Sequence, residues 1–158
     1  MTSLRPSRIP ALLAFVLLPL QASAGETVPP NPAETFLNEC SACHMAYQAG
    51  FLPKRSWAAI MGDLPNHFGE DASLDEESRR EIEAYLNANA ADRNGRNPRW
   101  LRAIPANAAP LRISELPWFR REHGARRIAR AKSDPRIGSI SNCAACHRGA
   151  ERGYYDDD

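Results

Sequence analysis

Two copies of one pentapeptide, Cys-x-x-Cys-His, occur in this chain at Cys40–His44 and at Cys143–His147. Positions i and i+3 lie on one face of a helical turn, so the two thiols of a copy can form thioethers with the two vinyl groups of one porphyrin. The histidine that follows then reaches the iron. The sequence therefore predicts two covalently bound haem c groups, held by Cys40, Cys43, Cys143 and Cys146, with His44 and His147 as iron ligands.

A Cys-x-x-Cys pair alone would also suit a redox dithiol or half of a zinc site. Two copies, each followed directly by histidine, disfavour both alternatives. The copies use all four cysteines of the sequence, so no thiol remains for a disulfide.

The first 24 residues have the pattern of a cleavable secretory signal. Arg5 and Arg8 precede a short apolar run. A group of small residues follows and ends with Ala24, after which we expect cleavage. A spanning helix needs about 20 apolar residues, more than this run offers, and no later segment is apolar enough. Haem attachment through two free thiols also fits an exported protein. We therefore predict that the mature protein is located in the periplasm.

The mature chain would hold 134 residues, enough for one ordinary domain or for two very small ones. Two haems favour the second option, because a haem packs as an apolar plate and supplies core that a half-chain lacks. We expect domains at 25–91 and 100–158, joined by a polar linker at 92–99 that contains the turn pair Asn94-Gly95.

Charge is divided unevenly between the two halves. Residues 25–100 carry a net charge of −5 and residues 101–158 a net charge of +4. A nucleic-acid partner would call for a broadly basic domain, and this charge distribution disfavours one.

Three helices are predicted in the first half. One begins at Asn31 as N-cap with Pro32 in the first helical position, and a second begins at Pro53. A third begins at Ser73, with Glu76 as its capping-box partner. This order of helix, haem motif, loop and terminal helix resembles a small class I cytochrome c over residues 31–90.

The second half is predicted to be irregular and organised by its haem. Prolines at 105, 110, 117 and 135 exclude long helices, and one short helix is expected from Pro117 to His123, ending at Gly124. The fold class predicted for the whole chain is thus mainly α.

The two histidines outside the motifs, His67 and His123, fall one in each half. Each is a candidate sixth ligand for the haem iron of its half. An ordinary surface or capping histidine is the alternative. Methionine is the rival ligand, but Met61 lies on an apolar stripe with Trp57, and no methionine follows it. An open sixth position, which would permit ligand binding or catalysis, is the remaining possibility.

Basic residues surround His123: Arg120, Arg121, Arg126, Arg127, Arg130, Lys132 and Arg136. We call these seven residues the basic cluster. It predicts either a surface that docks a redox partner or a solvated face that pairs with haem propionates.

The sequence closely resembles the soluble dihaem cytochrome c family, whose members donate electrons to a small oxygen-binding monohaem cytochrome c. Three stretches carry the resemblance: Met61–Glu70, Leu111–His123 and Ser141–Glu151. It implies a class I-like first domain, a second domain of unusual fold, and bis-histidine haems with His44 paired to His67 and His147 to His123. It also implies an electron carrier, not an enzyme, with an upstream donor.

Two other functions remain open. A dihaem peroxidase needs an accessible iron and usually a longer chain. The small dihaem subunit of periplasmic nitrate reductase is also an electron carrier, but its motifs lie much closer together than Cys40 and Cys143.

Overall fold

The computed structural model describes residues 33–155, which form helices, turns and loops with no β-strand between these two positions. The helices are α1 (Glu34–Cys40), α2 (Lys54–Met61), α3 (Glu76–Asn89) and α4 (Pro117–Ser133). The predicted mainly helical class is confirmed. The predicted signal, residues 1–24, lies outside the described residues. Within residues 33–155 no helix has both the length and the apolar character needed to cross a bilayer.

Helices α1 and α2 both pack against α3. The apolar stripe of α3 supplies the centre of the core, since Ile82 and Leu86 are almost completely buried. Phe36 of α1 meets this helix with its ring centroid 4.8 Å from that of Tyr85. The apolar residues at helical spacing in α3 therefore face the core, as their spacing predicts.

Two helix starts differ from those predicted. Helix α1 begins at Glu34, with Ala33 as a cap that makes no side-chain hydrogen bond; Asn31 and Pro32 lie outside the described residues. The N-cap of helix α3 is Asp75, two residues after the predicted cap Ser73, because the carboxylate of Asp75 accepts hydrogen bonds from the amides of Glu77 and Ser78. The start of α2 after Pro53 is as predicted.

The polar segment 92–99 turns at Asn94-Gly95, where both residues have positive φ, 53° and 73°. Contacts hold the chain at the entrance to this turn. The Ala91 amide donates to the Leu52 carbonyl (2.9 Å), and the Lys54 amide donates to Asp92 Oδ1 (2.8 Å). The segment is thus fastened to the start of α2.

Helix α4 is longer than the short helix predicted to end at Gly124. Gly124 interrupts it with φ 59° and ψ 163°, and a second helical segment then continues to Ser133. The residues between Pro117 and Pro135 contain no further proline, so nothing prevents helix formation after the glycine.

Buried residues of the two halves form one continuous cluster. Leu101, Ile104, Leu116 and Phe119 join the same apolar core as Phe36, Trp57, Ile82 and Leu86. The second half is therefore packed onto the first by apolar burial.

Candidate haem sites

The first motif begins at the end of α1. Cys40 is the last residue of the helix, and Cys43 and His44 lie in the turn that follows. His44 Nδ1 lies 2.7 Å from the Met45 carbonyl oxygen. Because a carbonyl only accepts, Nδ1 carries the proton, and Nε2 is left free to bind a metal.

The second motif lies on a 3-10 turn, Cys143–Ala145, not on an α-helix. The His147 amide closes the turn by donating to the Cys143 carbonyl at 2.8 Å. Both motifs thus bring their two cysteines and their histidine together by a single tight turn.

In each motif the first cysteine is half-buried and the second is exposed. Burial raises the pKa of Cys40 and of Cys143 to about 11, and the neighbouring charge of Glu39 adds to the effect at Cys40. Redox-active dithiols have a cysteine with a lowered pKa. The raised pKa of Cys40 and Cys143 is the opposite of that pattern and disfavours either of them as the reactive thiolate of a redox dithiol.

His67 lies opposite His44. It follows the 3-10 turn Leu64–Asn66, and the two imidazole centroids are 6.1 Å apart with their planes inclined by only 23°. The next residues, Phe68 and Gly69, both have positive φ, so the chain reverses sharply behind the histidine. Partial burial, the charge of His44 and then that of Arg112 lower the pKa of His67. All three favour the neutral imidazole that a metal requires.

His123 lies opposite His147, with the centroids 6.0 Å apart and the ring planes almost perpendicular at 85°. Phe119, one helical turn earlier, holds His123 in two ways. The rings stack at 3.9 Å, and His123 Nδ1 lies 2.9 Å from the Phe119 carbonyl oxygen, to which it donates. Nε2 is again the nitrogen left free to bind a metal.

Both inter-ring distances fit one metal ion between two imidazoles. Two metal–nitrogen bonds of about 2 Å each, with the radii of two five-membered rings, add up to about 6 Å. The methionine alternative fits poorly at the first site, because Met61 is buried in the apolar core cluster. The structure therefore brings the four predicted histidines together as two pairs.

Two further observations agree with bound haem. A cavity of about 530 Å³ borders the first motif, with Ser41, Ala42, His44 and Met45 among its lining residues. Near the second pair, the buried Trp118 Nε1 has no hydrogen-bond partner among residues 33–155. Trp118 packs against Phe119, whose ring stacks on His123. A buried donor without an acceptor is unfavourable, and a haem carboxylate would supply the acceptor.

Residues at the sites that the sequence did not single out include Tyr47, Tyr155 and the carbonyl of Phe119. Tyr47 stacks on His44, with centroids 4.9 Å apart, and burial raises the pKa of its hydroxyl to about 12. Tyr155 lies edge-on to His147 at 5.6 Å. The i, i+4 spacing of Phe119 and His123 was the one sequence signal available.

The side chains of the basic cluster are exposed on α4 and just beyond it. Two of its arginines pair locally. Arg121 contacts Glu122 at 3.1 Å, and Arg136 contacts Asp134 at 2.7 Å. Arg127 donates to the Glu122 carbonyl at 3.1 Å. The cluster therefore keeps a positive surface beside the His123 and His147 pair.

Comparison with known proteins gives consistent matches. The family model for dihaem cytochrome c matches residues 36–155. A diheme cytochrome c from Rhodobacter sphaeroides is 57% identical, covering 81% of this chain and 98% of that chain with a TM-score of 0.68. A second structure from that organism is 55% identical, covering 80% and 98%, with a TM-score of 0.61.

A diheme cytochrome type c from Shewanella baltica is 38% identical, covering 78% of this chain and 86% of that chain with a TM-score of 0.62. Among curated proteins none matches this sequence. Because the family model and these structures match along nearly the whole described chain, the protein belongs to the dihaem cytochrome c family and carries two covalently bound haem c groups.

Proposed function

We propose that the protein carries single electrons through two bis-histidine haems, one held by His44 and His67 and the other by His147 and His123. The observation that supports this ligation is the pair of inter-ring distances, 6.1 Å and 6.0 Å. Haem iron supplies the one-electron ferric–ferrous couple. Membership of the dihaem cytochrome c family supports electron transfer as the activity.

The cysteines anchor the haems in this proposal. The thiols of Cys40 and Cys43 add across the two vinyl groups of one porphyrin, and those of Cys143 and Cys146 across those of the other. Each addition forms one sulfur–carbon bond and moves the thiol hydrogen to the other vinyl carbon. The resulting thioethers fix the haem next to the histidine that follows.

The hydrogen bonds behind the ligands tune the haems. Donation from Nδ1 of His44 and of His123 to backbone carbonyls fixes the tautomer and the orientation of each ring, with Nε2 left to face the iron. Histidine in place of methionine as sixth ligand lowers the reduction potential. We therefore expect two low-potential haems.

Imidazoles on both faces of each iron leave no open position for a substrate. This supports a carrier instead of an enzyme such as a peroxidase. The expected organisation also remains part of the proposal: a class I-like domain at 25–91, a linker at 92–99 and a haem-organised domain at 100–158. A signal peptide at 1–24 would direct the protein to the periplasm.

The proposed electron acceptor is a small, oxygen-binding monohaem cytochrome c with an acidic face. The exposed basic cluster beside the His123 and His147 pair supports docking at the second haem. Charged patches of opposite sign raise the rate of encounter more than the affinity, as suits a transient electron carrier. The donor upstream would be another redox protein.

The experiment that tests this function uses the protein expressed with its leader in a host that attaches haem c. Intact mass spectrometry should give a chain that begins at Gly25 with two haem masses added. The reduced protein should not bind carbon monoxide, and the oxidised protein should not turn over peroxide. Carbon monoxide binding at either haem, or peroxide turnover, would contradict closed bis-histidine sites.

A further inference from the structure

Two tyrosines cross the boundary between the halves in reciprocal fashion. Tyr47 stacks on His44 of the first motif, and its hydroxyl donates to the Ser141 carbonyl of the second half at 2.9 Å. Ser141 lies two residues before Cys143. One side chain thus joins the ring of one haem ligand to the backbone that bears the other haem motif.

Tyr155 makes the opposite connection. Its ring lies edge-on to His147 at 5.6 Å, and its hydroxyl donates to Gln48 Oε1 in the first half. Gln48 follows Tyr47 in the chain, and its Nε2 donates back to the Ala150 carbonyl at 2.9 Å. The two contacts therefore meet at adjacent residues of the first half.

We propose that Tyr47 and Tyr155 form a paired bridge that conducts the electron between the two haems. The proposal rests on the proposed bis-histidine ligation, because each tyrosine contacts the motif histidine of one haem. Electrons tunnel more readily through bonds and hydrogen bonds than across gaps. From the His44 ring the route runs through Tyr47, its hydrogen bond and two residues of backbone to Cys143.

The redox step is simple to balance. One electron leaves the ferrous iron of one haem and arrives at the ferric iron of the other. The tyrosines are neither oxidised nor reduced, each phenol keeps its proton, and no bond forms or breaks. No further reactant is needed.

The same contacts also hold the halves together, so the experiment must separate conduction from attachment. Phenylalanine in place of tyrosine keeps the ring beside the histidine and removes only the hydrogen bond. Tyr85 offers a matched control, because its ring contacts Phe36 within the first half, with the centroids 4.8 Å apart, and it takes no part in this bridge.

The test uses the full-length protein with both haems. A flavin semiquinone generated by a light flash reduces fewer than one haem per molecule, and freeze-quench electron resonance then follows which haem stays ferric. Electron transfer between the haems of one molecule is the kinetic phase whose rate does not depend on protein concentration. Redox titration of each variant corrects that rate for any change in driving force.

Tyr47→Phe should slow this phase by about tenfold, and Tyr47→Phe with Tyr155→Phe by more, while Tyr85→Phe leaves it unchanged. An unchanged rate in the double variant, with both haem spectra native, would overturn the bridge and leave the contacts a structural role only. Melting temperatures of the same variants report that structural role separately.

The ligation and the bridge can fail independently. A wild-type haem that is high-spin or methionine-ligated would refute the proposed ligation, whatever the transfer rate.

Discussion

The two haem sites use the same pentapeptide and nearly the same inter-ring distance, yet their imidazole planes differ. The angle between the rings is 23° for His44 and His67 and 85° for His123 and His147. The backbone differs on both sides of each pair. His67 lies on a tight turn, whereas His123 lies on a helix that also fixes its ring through Phe119. The first motif begins at the end of an α-helix and the second lies on a 3-10 turn. The shared Cys-x-x-Cys-His spacing therefore does not make identical sites, because the surrounding backbone orients the two imidazoles.

This difference has an electronic consequence. Parallel imidazoles interact with the same iron d orbital, and perpendicular imidazoles interact with two different ones. The sites should therefore give separate low-spin ferric signals in electron paramagnetic resonance, although the proposed ligand atoms are the same in both. Ligand orientation is one of the features through which a protein adjusts the electronic structure of a haem iron.

The largest effect is expected from removal of one distal histidine. His67→Ala should convert the first haem alone to a high-spin or water-ligated form, and His123→Ala the second alone, because each iron loses its sixth ligand. The electron paramagnetic resonance spectrum of each variant should lack one of the two low-spin signals of the wild type. If His67→Ala kept both signals unchanged, the ligand assignment would be wrong.

Gly124→Ala tests why the distal ligand of the second site has its orientation. With φ 59° and ψ 163°, Gly124 adopts a backbone conformation that is very unfavourable for alanine, at a cost of about 1–3 kcal/mol. The melting temperature should fall, and the second haem signal should shift while the first does not.

Gly50→Ala is the matched control for that variant. Neither glycine has an atom within 4 Å of an added Cβ, but only Gly124 has a positive φ. Equal melting temperatures for the two alanine variants would show that the strain at Gly124 does not matter.

Charge reversal compares the two halves as docking surfaces. Arg126→Glu with Arg127→Glu should slow reduction of an acidic partner cytochrome by about tenfold at low salt, because electrostatic steering is lost. The wild-type rate should also fall steeply with salt, since screening acts over about 8 Å at physiological ionic strength. Stopped-flow rates measure both effects, with haem spectra as the check on folding.

The control reverses two exposed carboxylates of the first half, Glu34→Lys with Glu77→Lys, and should not slow the reaction. A rate that is flat with salt and unchanged in the arginine variant would move docking to the acidic first half. Asp71, Asp75, Glu76 and Glu77 would then be the next candidates.

The smallest effect is expected at Arg112, whose guanidinium lies 4.0 Å from the centre of the Phe68 ring. A cation beside His67 disfavours the ferric iron, which carries one more positive charge than the ferrous iron. Arg112→Gln should therefore lower the reduction potential of the first haem alone, by about 30 mV. This shift corresponds to a change of about threefold in the equilibrium constant of a one-electron couple. Arg112→Lys keeps the charge and should retain most of the wild-type potential in a redox titration.

Sequence patterns predicted the parts of the molecule that depend on local order. Helical periodicity identified α2 and its apolar stripe, whose residues Trp57 and Met61 are buried. Counting the histidines by half identified the two pairs that the fold brings together, although ligation itself stays a prediction. These features follow from residue type and short spacing.

Other features depend on information that no short pattern contains. The second helical segment after Gly124 was missed because a glycine that ends one helix does not reveal whether another begins. The angle between paired imidazoles depends on backbone dihedrals far apart in the chain. Tyr47 and Tyr155 acquire their importance only through contacts between the halves.

Those contacts also set an order of assembly. The hydrogen bond from Tyr47 to Ser141 joins residues 94 positions apart, and that from Gln48 to Ala150 joins residues 102 apart. Closing such long loops costs entropy before any contact compensates, so distant pairings form late. Because the chain is synthesised from its N-terminus, helices α1 to α3 can pack before synthesis ends. The partners of Tyr47 and Gln48 are among the last residues to be made. The first haem can thus be attached to a nascent chain, and the second is joined beside a surface that has already folded.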